Sequence, residues 1–516
     1  MNNLYQDLLK APKYKETALT FMGNKMSTVD FVKNIDNMAG FLSSIGIKKC
    51  DAVGIIAPNI PTAIIGFYAI NKIGAVANIF HPLIATSDMV NKLKTTNTKA
   101  IFVYDLFYRK HKKALKSLGI KVIICSSKDY LNRFTRFVFS LGLDVVRGIT
   151  TTEYTVKDFT KSRPSKVEYN EECCYLHSSG TDKEKTVVLT NENFIELKNK
   201  MVDVIGYENL PNERMLVSLP IFHCFGLGIG VHSALSLGVD VILMPTFNTK
   251  SMVKLVKKYE ATILIVIPSM IRKFVKNGFS DSFCSVKHIY CGGDRMSSEL
   301  REQFDDLNKV NGCKILEGYG LTELTGVCVV NTEKNYKAGS IGKPLTDIEV
   351  LAIDDNDKVV QTNEVGELVI NSSTVMKGYY DNTNNLFSYN GKNYFRTGDL
   401  VRIDSDGFLY YIDRKKDVIK ISGINVFPKD IEELVLKTCP VKQAVCVEKA
   451  IDNKPYVYLY VVAKPSIELE EQIKNTVKKN LLKYYWLKEV VFLEQMPYTK
   501  NGKIDKKSLE KKVDYN

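Results

Sequence analysis

The 516-residue chain lacks the features that mark a secreted, disulfide-stapled or low-complexity protein. It contains eleven cysteines, but none stands in a CxxC pair, and neither metal-ligand spacing nor a disulfide framework is visible. The polar stretch at the N-terminus contains no signal-peptide core. These absences predict a cytoplasmic protein whose thiols are reduced and mostly buried.

A nucleic-acid-binding pattern is also missing. The chain carries 71 basic and 58 acidic residues, which gives a formal net charge of +13. The basic residues are spread along the chain and are not interleaved with aromatic residues, so no nucleic-acid partner is expected. A solvated, lysine-rich surface explains the excess charge, and so does attraction to anions such as nucleotides, coenzyme A or an acidic membrane face.

One stretch without formal charge, residues 215–239, is long enough to span a bilayer. It contains Pro220, His223, His232 and several glycines, which break it into a strand, a turn, a small-residue helix and a second strand. We interpret it as buried core. At most peripheral contact with a membrane is therefore expected.

The order of predicted elements indicates the fold. Short β-branched runs alternate with helix-length segments, which predicts an α/β fold with parallel sheets. After about residue 340, glycine-punctuated alternating strands predict a small β unit over 340–412. The charged run "DRKKD" then precedes a compact α+β segment. We predict a large domain over 1–412 and a small, mobile C-terminal domain over 413–516, with a hinge at 413–417.

Five motifs occur in a fixed order along the chain. They are "SSGTDKEKTVVLT", "LPIFHCFG", "EGYGLTE", "YFRTGDL" with "YYIDRKKDVIKISGINVFP", and "PYTKNGKIDKKSL". This order resembles the adenylate-forming (AMP-binding) enzymes, which include acyl-CoA synthetases, peptide-synthetase adenylation domains and beetle luciferases. The resemblance covers nearly the whole chain. It implies that an acyl-AMP is made from a carboxylate and ATP, and that the acyl group usually passes to a thiol.

The first motif fits a phosphate-binding loop. Both a carboxylate and the α-phosphate of ATP are negative, so cations must neutralise their approach. The backbone N–H groups and hydroxyls of the loop suit phosphate oxygens, and they belong to Ser178, Ser179, Gly180 and Thr181. Lys185 would then reach the β- and γ-phosphates. The loop departs from the family pattern S-G-T-T-G-x-P-K-G, since it is one residue short and Thr186 replaces the last glycine, so a merely structural loop stays an alternative.

The motif "EGYGLTE" supplies further candidates. Tyr319 suits stacking on adenine, and Gly320 keeps the backbone close to the nucleotide. Thr322 is expected to donate to phosphate and Glu323 to hold Mg²⁺, a hard cation that prefers oxygen ligands. A tight turn with a helix N-cap at Thr322 explains the same residues without a ligand.

Later motifs add residues by resemblance. Gly292 and Gly293 of "CGGDRM" resemble the strand end at the family's adenine pocket, where glycines allow close approach. Asp399 falls where the family holds the ribose, and a turn aspartate is the structural alternative. Arg414 resembles the arginine that also touches the ribose.

The C-terminal motifs imply a moving domain. Lys416 falls at the family's hinge residue, and a solvated linker lysine is the alternative. Lys503 falls where a lysine bridges the substrate carboxylate and the α-phosphate during adenylation. Gly423 lies in a stretch that resembles the loop that approaches the thiol acceptor after the small domain rotates. An ordinary turn glycine is the alternative.

The substrate is less visible in the sequence. His223 resembles the family histidine beside the acyl site, where it would form a wall or gate, although a histidine in an apolar stretch is often a satisfied core residue. The segment after it offers no aspartate for an amino acid's ammonium group. The small residues Gly226, Gly228 and Gly230 either leave room for an apolar tail or permit close helix packing.

We therefore predict an acyl-CoA synthetase that acts on a medium- or long-chain fatty acid with ATP, Mg²⁺ and coenzyme A. Within this class, an aryl-acid–CoA ligase and an acyl-AMP ligase that loads a carrier protein are the alternatives. In another class, a nucleotide- or acyl-binding protein with weakened catalysis fits the altered phosphate loop. The sequence leaves the oligomeric state open, a homodimer included.

Overall fold

The computed structural model describes residues 2–11, 17–131, 153–159, 162–178, 185–206, 210, 212–278, 283–307, 312–422, 424–451, 454–498 and 504–511. The chain divides into two compact units, which are described separately. The first unit consists of Met1–Met296, Leu300–Ile348 and Asn371–Asn385, and the second of Ser297–Glu299, Glu349–Ile370 and Leu386–Asn516. The predicted domain boundary and hinge near residue 413 stay predictions.

The strands, in chain order, are β1 (Thr17–Phe21), β2 (Asn24–Ser27), β3 (Ala52–Ile56), β4 (Val76–Ile79), β5 (Thr98–Tyr104), β6 (Lys121–Cys125), β7 (Glu172–Ser178), β8 (Lys185–Thr190), β9 (Arg214–Val217), β10 (Asp240–Leu243), β11 (Ile263–Val266), β12 (His288–Cys291), β13 (Lys314–Tyr319), β14 (Val329–Val330), β15 (Lys343–Pro344), β16 (Glu349–Ile353), β17 (Val365–Asn371), β18 (Gly378–Tyr379), β19 (Leu386–Tyr389), β20 (Lys392–Ile403), β21 (Leu409–Arg414), β22 (Ile419–Ile421), β23 (Ile424–Val426), β24 (Gln443–Ile451), β25 (Lys454–Val462) and β26 (Leu487–Leu493).

The described α-helices are α1 (Leu4–Leu8), α2 (Thr28–Ser44), α3 (Pro61–Lys72), α4 (Thr86–Thr95), α5 (Asp105–Ser117), α6 (Val156–Phe159), α7 (Asn191–Ile205), α8 (Ala234–Ser236), α9 (Thr249–Tyr259), α10 (Pro268–Asn277), α11 (Ser298–Leu307), α12 (Pro428–Thr438), α13 (Ile467–Asn480) and α14 (Lys506–Glu510). None of these described helices has both the length and the apolar character needed to cross a bilayer.

Two sheets form the core of the first unit. One has nine strands in the order β15-β14-β13-β12-β11-β9-β10-β1-β2, and the other has seven in the order β18-β8-β7-β4-β3-β5-β6. The pairs from β13 to β1 and the pairs between β7 and β6 are parallel. Strands such as β3 and β11 are buried along their whole length, as expected of parallel strands covered on both faces. The predicted parallel α/β fold is confirmed.

The uncharged stretch at 215–239 contains a π-helix, Phe225–Ser233, where the sequence predicted an ordinary helix. Its three glycines pack against neighbours at close range. A Cβ atom would overlap the Pro220 carbonyl if placed on Gly226, would lie 2.9 Å from a Leu197 methyl on Gly228, and 2.8 Å from Ile265 on Gly230. Because these spaces are filled, the glycines serve close packing and do not open room for an acyl tail.

The second unit contains two larger sheets and two helices that pack on one of them. Strands β16, β17, β20, β19 and β21 form one sheet, in which the pairs β17–β20, β19–β20 and β20–β21 are antiparallel. Strands β24, β25 and β26 form a second sheet, with β24–β25 antiparallel and β25–β26 parallel. Helices α12 and α13 bury Ile431, Val435 and Ile473 against one face of this sheet.

Helix α1 is tied into the first unit although it is only five residues long. Asn3 caps it, and the Asn3 amide also donates to the carbonyl of Asn71. The Tyr5 hydroxyl donates to Asp36 at 2.6 Å. At its C-terminal end, the buried Asp7 lies 3.0 Å from the Lys198 ammonium. The helix is therefore held by polar contacts at both ends.

Candidate active site

The predicted phosphate loop connects two antiparallel strands. Strand β7 ends at Ser178, strand β8 begins at Lys185, and these two residues are register partners. The Ser178 hydroxyl donates to the Lys185 carbonyl at 3.4 Å. Ser179, Gly180 and Thr181 lie outside the described residues. The structure thus places both ends of the loop side by side, and the contacts of the loop itself stay predictions.

A histidine that the sequence analysis did not single out supports the base of this loop. The His177 ring bonds to Asn78 Oδ1 at 2.9 Å through Nε2 and to the Thr186 hydroxyl at 3.1 Å through Nδ1. It also stacks on Phe80, with ring centroids 4.9 Å apart. Desolvation, and then the charge of Lys92, lower the pKa of His177 well below its usual value. The ring is therefore neutral, and the network assigns its proton to Nε2.

The motif "EGYGLTE" covers the end of β13 and a short 3₁₀ turn, Thr322–Leu324. Leu321 occupies the N-cap and makes no side-chain cap, so helix capping does not explain Thr322. A Cβ atom on Gly320 would overlap the Gly326 carbonyl, which is why only glycine fits there. Tyr319 is largely buried, at 9% exposure.

Glu323 and Lys185 meet on one tyrosine. The Tyr379 hydroxyl donates to Glu323 Oε1 at 3.0 Å, and the Lys185 ammonium lies 4.2 Å from the centroid of the Tyr379 ring. All three side chains are half-buried. The sequence analysis missed Tyr379, because neither charge pattern nor local spacing links it to the two motifs.

The predicted adenine-pocket glycines lie beside the same motif. Strands β12 and β13 are parallel neighbours, with Cys291 opposite Glu317, so their carboxyl ends share one edge of the sheet. A Cβ atom on Gly292 would lie 3.1 Å from the Gly318 carbonyl. Gly293 has a φ of +85°, a conformation that favours glycine. The two glycines are thus brought to the motif that carries Tyr319.

His223 lies in the turn between β9 and the π-helix, and its side chain is exposed. Its backbone N–H donates to the Pro220 carbonyl at 3.1 Å, and its ring lies 4.6 Å from that of Phe222. His232, nine residues later, is fully buried and lies near Tyr68. The core histidine of this stretch is therefore His232. The acyl-site role of His223 stays a prediction.

In the second unit, two predicted ribose residues are register partners. Asp399 of β20 lies opposite Arg414 of β21, and the Arg414 Nε atom is 3.3 Å from the Asp399 carboxylate. Asp399 is 2% exposed and lies within a strand, so it is not a turn aspartate. Lys416 lies in the 3₁₀ turn Lys415–Asp417 and is exposed.

Lys503 and Gly423 lie outside the described residues, but their flanks are placed. Tyr498 and Ile504 form an isolated antiparallel bridge that closes the connection carrying Lys503. The Lys506 ammonium pairs with Asp417 at 2.8 Å. In the sequence, Gly423 falls between Ile421 of β22 and Ile424 of β23, which are register partners. Their functional roles stay predictions.

The donor set fits Mg²⁺ held largely by a substrate. In the part of the chain that the structure describes, no group of three His, Cys, Asp or Glu side chains forms a metal site. Mg²⁺ usually binds one or two carboxylates together with substrate phosphates. The half-buried carboxylate of Glu323, whose partner Tyr379 also contacts Lys185, matches that requirement.

Two family models match the sequence. The model of the AMP-binding enzyme matches residues 9–380, and the model of the AMP-binding enzyme C-terminal domain matches residues 430–503. The chain belongs to the AMP-binding enzyme family. This membership confirms the predicted resemblance to adenylate-forming enzymes.

Similar proteins of this family match almost the whole chain. Peroxisomal OPC-8:0-CoA ligase 1 of Arabidopsis thaliana is 28% identical over 504 residues, which are 95% of this chain and 89% of that protein. The long-chain-fatty-acid–CoA ligase of Bacillus subtilis (strain 168) is 27% identical over 517 residues, 96% of this chain and 91% of that protein. The crystal structure of ATP-bound MatB from Rhodopseudomonas palustris has a TM-score of 0.86 at 20% identity, with 99% and 98% of the two chains covered, which supports the fold.

Proposed function

We propose that this member of the AMP-binding enzyme family is an acyl-CoA synthetase. It activates a medium- or long-chain fatty acid with ATP to give acyl-AMP and pyrophosphate, and then transfers the acyl group to coenzyme A. The observation that carries this proposal is the placement of a lysine and a carboxylate on one tyrosine, at the two motifs that the family resemblance assigns to ATP.

The first-unit residues supply the electrostatics of adenylation. The Lys185 ammonium would neutralise charge on the departing pyrophosphate, and Glu323 would hold Mg²⁺. When bound, Mg²⁺ offsets the negative charge of the phosphates, which the attacking carboxylate otherwise meets. Such preorganised charges contribute most where water is scarce, and Lys185 and Glu323 are both half-buried.

The other predicted residues have roles that follow from the resemblance. Asp399 has a buried carboxylate, which suits the two hydroxyls of a ribose, and Arg414, 3.3 Å from it, would also touch the ribose. Lys503 would bridge the substrate carboxylate and the α-phosphate. Gly423 would lie on the path of coenzyme A in the second half-reaction.

The choice of a fatty acid rests on two arguments. The segment from His223 to Ser236 contains no carboxylate that could hold an amino acid's ammonium group. The Bacillus relative is named as a ligase of long-chain fatty acids, and that name favours the same class here. An aryl acid is the runner-up substrate.

A panel of carboxylates tests the proposal directly. The purified protein is incubated with ATP, Mg²⁺ and each acid, with and without coenzyme A, and pyrophosphate and acyl-CoA are measured separately. We expect both products with fatty acids of medium or long chain. Preference for benzoate-type acids would replace the substrate class. Pyrophosphate without acyl-CoA, together with acylation of a carrier protein, would indicate an acyl-AMP ligase, and ATP binding without pyrophosphate would indicate a binding protein.

A further inference from the structure

The segment 372–380 lies beside the candidate site, but the proposed reaction does not use it. Its backbone contacts both motifs: the Met376 N–H donates to the Glu323 carbonyl at 2.8 Å, and the Tyr380 N–H donates to the Thr186 carbonyl at 2.8 Å. Between these two contacts, β18 pairs with β8, so that Tyr379 lies opposite Val187. The backbone therefore fixes the position of Tyr379 from both sides.

The Tyr379 side chain uses its two chemically different parts on two charged partners. Its hydroxyl donates to Glu323 Oε1 at 3.0 Å, and its ring lies 4.2 Å from the Lys185 ammonium. Burial, followed by the charge of Glu323, raises the pKa of the Tyr379 hydroxyl well above its usual value. The hydroxyl therefore stays protonated and donates a hydrogen bond, and the electron-rich face of the ring attracts the ammonium group.

A lysine and a glutamate this close to one side chain would gain by pairing directly. Lys185 and Glu323 nevertheless form no ion pair with each other among the contacts of the described residues. Instead, Glu323 is contacted by the hydroxyl of Tyr379 and Lys185 by the face of its ring. The tyrosine gives each charge a neutral partner, and Lys185 also interacts electrostatically with Asp381. Neither Lys185 nor Glu323 is neutralised by the other, so both stay available to a ligand of opposite charge.

We propose that Tyr379 is a positioning residue of the nucleotide site, which holds the Lys185 ammonium and the Glu323 carboxylate apart and oriented. The lysine is then available to phosphate oxygens, and the carboxylate is available to a divalent cation that accompanies them. This inference rests on the proposed function, because it assumes that ATP with Mg²⁺ occupies the site.

Two substitutions separate the roles of the hydroxyl and the ring. Tyr379→Phe removes the donor to Glu323 and keeps the ring beneath Lys185, whereas Tyr379→Leu removes both. Tyr380→Phe is the matched control, because Tyr380 is the next residue and packs instead against Tyr175, with ring centroids 5.3 Å apart. ATP binding is measured by calorimetry without a carboxylate substrate, once with Mg²⁺ and once with a chelator.

In the wild-type protein, we expect Mg²⁺ to strengthen ATP binding. In Tyr379→Phe, this gain should fall about tenfold, the effect of losing one hydrogen bond to a charged group, while binding in chelator stays unchanged. In Tyr379→Leu, binding should weaken under both conditions. Tyr380→Phe should resemble wild type. Steady-state pyrophosphate release should show the Tyr379→Phe defect as a higher KM for Mg·ATP and a smaller change in kcat.

Two results would overturn the proposal. One is a Tyr379→Phe variant with wild-type Mg²⁺ dependence. The other is an equal loss under both conditions that is accompanied by a lower unfolding temperature, because this would indicate a structural role only. Wild-type protein that binds Mg·ATP but releases no pyrophosphate with any acid would refute the proposed function. The role of Tyr379 could still be judged, because it is tested by ATP binding. Wild-type protein that binds no ATP would refute both.

Discussion

Two clusters in the first unit combine a carboxylate, a lysine and a tyrosine in opposite ways. In the anchor cluster (Asp7, Tyr68, Lys198 and His232), Asp7 lies 3.0 Å from Lys198 and 3.5 Å from His232, and Tyr68 bonds to the same histidine. In the site cluster (Lys185, Glu323 and Tyr379), a tyrosine stands between the two charges. In the first cluster, the buried Asp7 carboxylate is paired directly with the Lys198 ammonium. Separation leaves the charges of the second cluster available to a ligand.

The anchor cluster should show the largest effect on stability. Asp7→Asn removes the carboxylate but leaves Lys198 and His232 in place. Removing one partner of a buried ion pair leaves the other charge uncompensated, which typically costs about 3–5 kcal/mol. We expect a clearly lower denaturation midpoint, with normal ATP binding by the molecules that remain folded. Chemical denaturation followed by circular dichroism measures the first quantity and calorimetry the second.

Glu470→Gln is the control for this experiment. Glu470 pairs with Lys474 on α13 at 2.6 Å, and both side chains are about one-third exposed. Such a surface pair contributes less than about 1 kcal/mol. If both variants lost equal stability, the buried network of Asp7 would not be what holds α1.

The site cluster should show the reverse pattern. Lys185→Ala removes a half-buried charge that lies over the Tyr379 ring and forms no ion pair with Glu323, so stability should change little. The rate of pyrophosphate release should fall on the order of 10²–10³, as for the loss of one preorganised electrostatic contact. Lys183→Ala is the control, since the sequence alignment gives Lys183 no phosphate role. A larger effect at Lys183 would show that the alignment across the gap is wrong.

The anchor cluster also predicts a pH dependence of stability. Burial lowers the pKa of His232, although Asp7 opposes this shift. Below about pH 6.5 the unfolded chain therefore binds a proton at this histidine that the folded protein does not bind. Burial raises the pKa of Asp7, but His232 and Lys198 lower it by more, so the pKa is below its ordinary value in the folded protein. This carboxylate therefore loses its stabilising effect only in stronger acid. Stability should therefore fall first below about pH 6.5 and again below the ordinary range of aspartate.

The variant His232→Gln should flatten the first of these two declines. One buried histidine accounts for at most about 1.4 kcal/mol per pH unit. His177 has a lowered pKa too and should keep part of the slope, so the decline should become shallower without vanishing. Denaturation midpoints at pH 7.5 and 5.5 measure the change. An identical slope in the variant would mean that His232 is protonated in the folded protein.

The contrast between the clusters also shows what the sequence could and could not predict. The parallel sheets followed from β-branched runs, because a buried strand has a local signature. His223 and His232 stand in the same apolar stretch, and only tertiary packing makes the first exposed and the second buried. The π-helix could not be predicted either, because Gly228 and Gly230 fit against Leu197 and Ile265, which are distant in the sequence.

Tyr379 shows the same limit at the candidate site. The motifs that contain Lys185 and Glu323 were recognised from residue order. The tyrosine that joins them comes from β18, a two-residue strand whose position depends on pairing with β8. Long-range pairing of this kind leaves no local periodicity in the sequence, so the residue could be found only in the fold.

We expect the smallest effect from a substitution of Thr186, which follows the phosphate loop in β8 and replaces a glycine of the family pattern. Thr186→Val keeps the β-branched shape and removes the hydroxyl that donates to His177, so stability should fall by about 1 kcal/mol. Because Lys185 is the neighbouring residue, the KM for ATP should rise slightly, well short of the Lys185→Ala effect. A double-mutant cycle with His177→Phe decides whether the effect passes through this hydrogen bond: Thr186→Val should then add little. Fully additive losses would show that the hydroxyl acts elsewhere, and that this departure from the family pattern is not compensated by His177.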